Sequence, residues 1–328
     1  MSAAAAGLGL FAVLVVLPRL ADSDRSVAPR VAAGAHLMSL LGWALMPVVW
    51  LACLGSALGA SLGGIRTSGG GCLLGLDRGQ WELLGYVPAV LLLAVLVRHV
   101  LLHASAARRA EMGPLARSRA VRRPTTAGEV WVLCSDDPVA FASGLWRCRA
   151  VVTSGLLALL DPAEREAVCE HEAAHVRLGH PRLLVVCGAI AGAYGRLPPV
   201  RRAWDGLRRQ LEAAADDEAA RVTGATVLLS ALVHVAAVLG GQASPTVAPG
   251  IAGADQLRWR IARLEHPGAP APWPTALAAA TAAATAAAIS VVGCLLTGVQ
   301  ANLAAELACL VVVAMVGLRP TWAWGRHG

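Results

Sequence analysis

The chain has 328 residues, 56% of them apolar, and a mean hydropathy of +0.60, which excludes a purely water-soluble domain. Its 28 basic and 21 acidic residues leave a net charge of +7, and every basic residue is Arg. These arginines flank apolar runs without interleaved aromatics, which argues against a nucleic-acid surface and assigns the charge to membrane topology and anionic lipid.

In chain order, runs that read as membrane spans fall at 3–17, 36–60, 83–102, 275–298 and 302–318, with shorter, ambiguous ones at 182–197 and 226–241. The first run has no basic segment before it, so an uncleaved span is expected instead of a removed signal. Arg19, Arg25 and Arg30 follow the first run. Arg98 lies near the end of the third, and Arg108, Arg109, Arg117, Arg119, Arg122 and Arg123 follow it, while 61–81 holds only Arg66 and Arg78. The positive-inside rule then places the N-terminus outside and 104 to about 270 in the cytoplasm. A final hairpin returns a tail with Arg319 and Arg326 to the cytoplasmic side.

The expected layout is three N-terminal spans in 1–103, a cytoplasmic unit in 104–270, and a hairpin with a short tail in 271–328. The fold class is a mainly α-helical multi-pass membrane protein carrying a small α+β cytoplasmic domain. The Arg-only, Ala- and Gly-rich usage suggests a GC-rich bacterial genome. Eight cysteines form no C-x-x-C pair and read as free thiols.

Residues 104–123, rich in Arg and Ala, predict a helix near the lipid headgroups. The texture then changes, and 130–134, 140–142 and 149–153 read as short strands separated by turn residues. The edge of such a sheet can hold an extended peptide by main-chain pairing.

A helix of four to five turns follows. Asp161 is its N-cap, Pro162 its first residue and Glu164 the reciprocal partner of a capping box, while Gly179 and Pro181 end it. Within it lies His171-Glu172-Ala173-Ala174-His175, a pattern that arises by chance about once in a hundred chains of this composition. His171 and His175, four apart, project from one face and can share one tetrahedral ion, with zinc the expected metal at one per chain. Glu172 is rotated away and can reach a metal-bound water instead. Cys169, two before His171, points to another side.

Two histidines leave a ligand to find. The Pro-free stretch 207–224 predicts a helix with Glu212 and Asp216 four apart on one face. Glu212 is the candidate third ligand, and Asp216 a carboxylate that hydrogen-bonds a ligating imidazole. A solvated acidic face is the bland alternative for this stretch alone. Coupled to the upstream histidines, it constrains topology: if 182–197 crossed the membrane once, Glu212 would lie opposite the histidines. Hence 182–197 is expected to be buried, interfacial or re-entrant, and 226–241 a helix packed behind the site. His180 reads as a local structural residue and His234 as a satisfied core histidine.

The stretches "FASGLWRCRAVVTSGLLALL", "EREAVCEHEAAHVRLGHP" and "LEAAADDEAARVTG" resemble the integral-membrane metallopeptidases that include the BlaR and MecR β-lactam sensor-transducers. They are more distantly similar to the HtpX and CAAX-prenyl proteases, and "LRWRIARL" (257–264) resembles a segment closing that peptidase region. The resemblance covers about 104–265 and implies a gluzincin-like zinc peptidase. In it His171, His175 and Glu212 would be ligands, Glu172 the general base and Asp216 the orienting carboxylate. A protein or peptide substrate is implied, and by analogy a cytoplasmic transcriptional repressor. Unlike those sensors, the chain shows no S-x-x-K motif and no penicillin-binding domain after residue 270, so β-lactam sensing is not expected. The competing readings are a non-catalytic zinc-binding membrane sensor or scaffold, and a transporter. Glu172 weighs against the first, and the scarcity of acids in the spans against the second.

Overall fold

Among the described residues, two long helices lead into a small sheet, and six further helices follow it. The computed structural model describes residues 28–62, 78–117, 120–240 and 254–266. The expected spans at 3–17, 275–298 and 302–318 lie outside these residues.

Helix α1 (Pro29–Leu62) and helix α2 (Arg78–Arg117) pack side by side. Each contains a stretch long and apolar enough to cross a bilayer, Pro29–Ala52 and Glu82–Arg109. Forty residues at 1.5 Å per residue make α2 about 60 Å long, roughly twice the hydrocarbon thickness, so its C-terminal part extends beyond the apolar run.

Strands β1 (Ala120–Thr125), β2 (Gly128–Leu133), β3 (Ala140–Ser143) and β4 (Arg149–Thr153) form one sheet in the order β1-β2-β4-β3. β2 and β4 run parallel; the outer pairs are antiparallel. Central β4 is covered on both faces, which is why its Ala150-Val151-Val152 run is continuously apolar and buried. Three strands lie where their alternation predicts them, but β1 occupies part of the stretch expected to be helical. Val121-Arg122-Arg123-Pro124 carries no strand signature of its own. It pairs residue for residue with β2, and the buried Glu170 carboxylate accepts from the backbone N–H groups of Thr126 and Ala127 in the connecting turn. As an edge strand, β1 accommodates Pro124.

Helix α3 (Ser154–Leu159) links β4 to helix α4 (Pro162–Arg177), which carries the His-Glu-x-x-His pattern. The capping box is present: Glu164 N–H donates to Asp161 Oδ1 at 2.8 Å, and Asp161 N–H donates to Glu164 Oε2 at 3.2 Å. Gly179, at φ 74°, supplies the left-handed residue that lets the chain turn directly into helix α5 (His180–Tyr194). Helices α6 (Pro198–Thr223), α7 (Ala225–Gly240) and α8 (Ala254–Glu265) complete the described chain.

Two apolar cores result. The first joins the sheet to α4, α7 and α8 through Val130, Val152, Leu156, Val168, Leu228 and Leu264. The second joins α1 and α2 to α5 and α6 through Leu40, Leu96, Ile190, Leu207 and Leu211. Helices α5 and α7 thus pack against the site-bearing helices, as the topology constraint requires. Of the two apolar helices of the N-terminal part, α1 sits directly on α6 and α2 packs on α5. Gly206 accepts the fully buried His36 ring so closely that any Cβ there would overlap it.

Candidate metal centre

α4 and α6 cross so that His171 and His175 on one face Glu212 on the other, all three buried. The helical spacing of four puts both imidazoles on one side of α4, and the Ala173-Ala174 pair between them lets α6 approach. His171 Nε2 and His175 Nε2 are 3.1 Å apart. The first lies 3.5 Å from Glu212 Oε2 and the second 3.7 Å from Glu212 Oε1. An ion held tetrahedrally at about 2.0–2.1 Å places its donor atoms roughly 3.3–3.4 Å from one another. The donor atoms, one per residue, lie within 4.8 Å of one another, close enough to converge on such an ion, and two imidazoles with one carboxylate suit a borderline divalent cation.

The ring atoms facing away from the triangle are also engaged. His171 Nδ1 lies 3.1 Å from Asp216 Oδ1, although the ring N–H is not aligned on that oxygen, so the contact is mainly ionic. His175 Nδ1 lies 2.9 Å from His180 Nδ1, and both rings are buried. His180 is thus more than a local structural residue: it positions one of the candidate ligands. His234 departs further from expectation. It is satisfied, at 2.8 Å from Glu164 Oε2, but its side chain is exposed instead of lying in a core.

The residue that sequence reasoning did not single out is Arg260 on α8. It is 4% exposed, grips Asp216 through Nε–Oδ2 at 2.8 Å and Nη2–Oδ1 at 2.6 Å, and reaches Glu212 Oε2 with Nη1 at 3.2 Å. The signal was its register. Leu257, Arg260, Ile261 and Leu264 follow the i, i+3, i+4, i+7 spacing, so the arginine occupies a place in the apolar stripe.

The charge distribution follows from these contacts. Burial opposes ionisation of Glu212, but His175, His171 and Arg260 outweigh it and draw its carboxyl down to about 2. Asp216 is also held low, chiefly by Arg260 against the cost of burial. Burial opposes the charged form of His171 too, yet Asp216 and Glu212 raise it to about 9. His175 and His180 are driven down by burial, to about 4 and about 3, and so stay neutral. Glu172 lines the same cleft, and burial pushes its carboxyl up to about 7. Cys169 is buried outside the triangle, and desolvation raises its thiol to about 11.

The cleft beside the triangle has a volume of about 150 Å³. Ala140, Phe141 and Ala142 of the edge strand β3 form one wall, and Val168, Leu211 and Leu232 are among the apolar residues opposite.

Comparison with known proteins agrees with this arrangement. A stretch of 70 residues, 21% of the chain, is 39% identical to a protein named Protease HtpX homolog from Acidiphilium cryptum (strain JF-5), covering 24% of that protein. The chain thus spans about a quarter of the length of this curated relative, and no solved structure matches. The sequence model of peptidase family M48 matches residues 103–268, about half of the chain, so the chain belongs to peptidase family M48.

Proposed function

We propose that this member of a family of metal-dependent peptidases is a membrane-bound zinc endopeptidase that cuts a cytoplasmic or membrane-proximal protein. The observation that carries the reading is the convergence of His171 Nε2 and His175 Nε2, 3.1 Å apart, on the Glu212 carboxylate, whose Oε2 lies 3.5 Å from the first and Oε1 3.7 Å from the second. These three residues would hold zinc, one per chain. Zinc, when bound, acidifies a water molecule and polarises the scissile carbonyl.

The remaining steps belong to the chain itself. The Glu172 carboxylate takes the proton from the attacking water and returns it to the leaving amine, for which a carboxyl titrating near 7 is suited. Asp216 holds the His171 ring and is itself held by Arg260. His180 holds the His175 ring. β3 pairs with β4 along one edge and lines the cleft with the other, so an extended substrate would pair with Ala140–Ser143 by main-chain hydrogen bonds. The apolar lining favours a substrate side chain of aliphatic or aromatic type beside the scissile bond.

Two apolar helices support a place in the membrane. On the positive-inside reading, the N-terminus lies outside and the peptidase part, 104–270, lies in the cytoplasm of a bacterial cell, between N-terminal spans in 1–103 and a hairpin in 271–328. A regulatory role follows by analogy with the sensor-transducers that the sequence resembles, with a transcriptional repressor as the partner class.

The test is metal content and cleavage in detergent-purified full chain, with wild type beside Glu212→Ala and Glu172→Gln. Expected are one zinc per chain in the wild type, its loss in Glu212→Ala, and its retention in Glu172→Gln with cleavage of an unfolded protein reduced roughly 10²–10⁴-fold. Folded wild type without zinc would overturn the metal assignment, and full proteolysis by Glu172→Gln would overturn the base.

A further inference from the structure

A second cavity, of about 490 Å³, lies between α2, α5 and α6. Its position is set by the helix that bounds it. His103 follows directly on the apolar run 83–102 of α2, so the cavity opens where that helix leaves its most apolar stretch. Small residues make the space. A Cβ on Gly188 would meet His103 Cδ2 and Trp204 Cη2 at 3.5 Å, and one on Gly192 would meet His103 Cε1 at 3.0 Å. Larger side chains at either place would grow into the cavity.

The lining divides by chemistry. Leu184 and Ala191 are apolar, while Arg201 and Arg208 supply two fixed positive charges. Among the described residues, Asp205, exposed, is the one acid in the wall, and His103, whose Nδ1–H donates to the His99 carbonyl at 2.9 Å, bounds the space. Trp204, part-buried, lies 5.9 Å from the Arg208 guanidinium, an amphipathic ring of the kind found at the lipid–water boundary. A peptide is a poor match, because none of the sheet's main-chain edges borders this space. A basic pocket between helices at the end of a span, with an apolar side for acyl carbons, matches an anionic phospholipid.

We propose that this cavity binds the phosphate headgroup of an anionic phospholipid through Arg201 and Arg208. The inference rests on the reading that α2 crosses the bilayer over its apolar run 83–102, within the candidate span Glu82–Arg109, and it is independent of peptidase activity. It also links the two cavities, since Leu184 and Arg208 line both this space and the cleft beside the metal triangle. A headgroup that draws on Arg208 would move a wall of that cleft.

The experiment is lipid retention by the detergent-purified full chain, read by native mass spectrometry after addition of phosphatidylglycerol, phosphatidylcholine or inorganic phosphate. Wild type is expected to retain phosphatidylglycerol in preference to phosphatidylcholine. Arg201→Gln should weaken that retention about fivefold, the effect of one arginine near an anionic surface. Gly188→Leu should abolish retention by filling the space, with zinc content as the check that the fold persists. Equal retention of the two lipids, or unchanged retention in both variants, would overturn the proposal. Displacement of phosphatidylglycerol by an equal concentration of inorganic phosphate would overturn the lipid assignment in favour of a free-anion site. Retention by Glu172→Gln equal to wild type is expected. If the wild type retains lipid but cleaves nothing, the lipid site stands and the peptidase reading falls.

Discussion

His175 and His180 meet Nδ1 to Nδ1 at 2.9 Å, and that contact fixes which nitrogen of His175 can serve a metal. Two ring nitrogens at this distance share one proton. Because His175 Nε2 is turned into the triangle, where a ligand needs its lone pair, the proton belongs on His175 Nδ1 and His180 Nδ1 accepts it. Burial keeps His180 neutral and therefore able to accept. His171 is served differently, by the anionic Asp216.

His180→Ala is therefore expected to weaken zinc binding about 10- to 100-fold, the usual effect of removing an outer partner of a ligating imidazole. His180→Asn, whose carbonyl can accept the same proton, should recover part of that loss. Competition with a zinc chelator measures both. Equal affinity in wild type and His180→Ala would reduce the contact to packing.

Arg260 stands between two carboxylates that also face the histidines. Its removal leaves Asp216 and Glu212 buried with less positive charge, and breaking a buried pair in this way costs about 3–5 kcal/mol. Arg260→Gln should thus lower the unfolding free energy of the zinc-free chain by about that amount, and Arg260→Lys should rescue little, since one ammonium cannot make the paired Nε and Nη2 contacts. Zinc supplies positive charge to the same carboxylates, so the deficit should shrink when the metal is added. A deficit that zinc leaves unchanged would show that Arg260 acts mainly by anchoring α8. Denaturant titration with and without zinc separates the two.

How far the site was legible in the sequence depends on how locally each residue's position is determined. His171, Glu172 and His175 share one helix whose start is encoded by Asp161, Pro162 and Glu164, so three side chains could be placed from spacing alone. Glu212 and Asp216 needed only a second helix. Arg260 comes from a third helix, and its neighbours Arg258 and Arg263 look alike in composition; only its register in an apolar stripe sets it apart. β1 was illegible for another reason. Its strand form depends on pairing with β2 and on Glu170, forty-three and forty-four residues away from the backbone groups it accepts. The place of His180 was less legible because Gly179 turns the chain into a new helix, and helical spacing from His175 does not carry across that turn.

Glu164 connects the metal-bearing helix to acidity. Burial alone would raise its carboxyl, but hydrogen bonds from Ser230 and His234 and from the Asp161 N–H hold it below its ordinary value of 4.5. Ser230 Oγ lies 2.6 Å from Oε1, so one side chain both caps α4 and ties it to α7. A carboxyl lowered in the folded state stabilises the fold above its unfolded value, and that stability is lost as pH falls through the folded one. Thermal unfolding of the zinc-free chain should therefore show a steepening loss of stability below about pH 4.5 that is shallower in Glu164→Gln. At neutral pH the variant should be the less stable of the two. Parallel acid limbs would assign the loss to other carboxylates.

Glu218 carries the last relationship, between the N-terminal helices and the site. It is 5% exposed and pairs with Arg30 at the start of α1, Arg177 at the end of α4 and Arg221 on its own helix. The three arginines are themselves 43% to 66% exposed, so each arm is worth at most about 1 kcal/mol and all of them weaken in salt. Glu218→Gln removes the shared anion but lets every arginine turn to water, so the global loss should be small. The local effect should be larger, because Arg30 ties the first turn of α1 to α6, while Leu40 and His36 hold that helix further along. Hydrogen exchange in Glu218→Gln should rise selectively over the first turns of α1 and the last turn of α4, and high salt should reproduce part of that rise in the wild type. A uniform rise across α4 and α6 would mean that Glu218 supports the metal-bearing crossing itself. In that case zinc affinity would fall with it, which the chelator competition would detect.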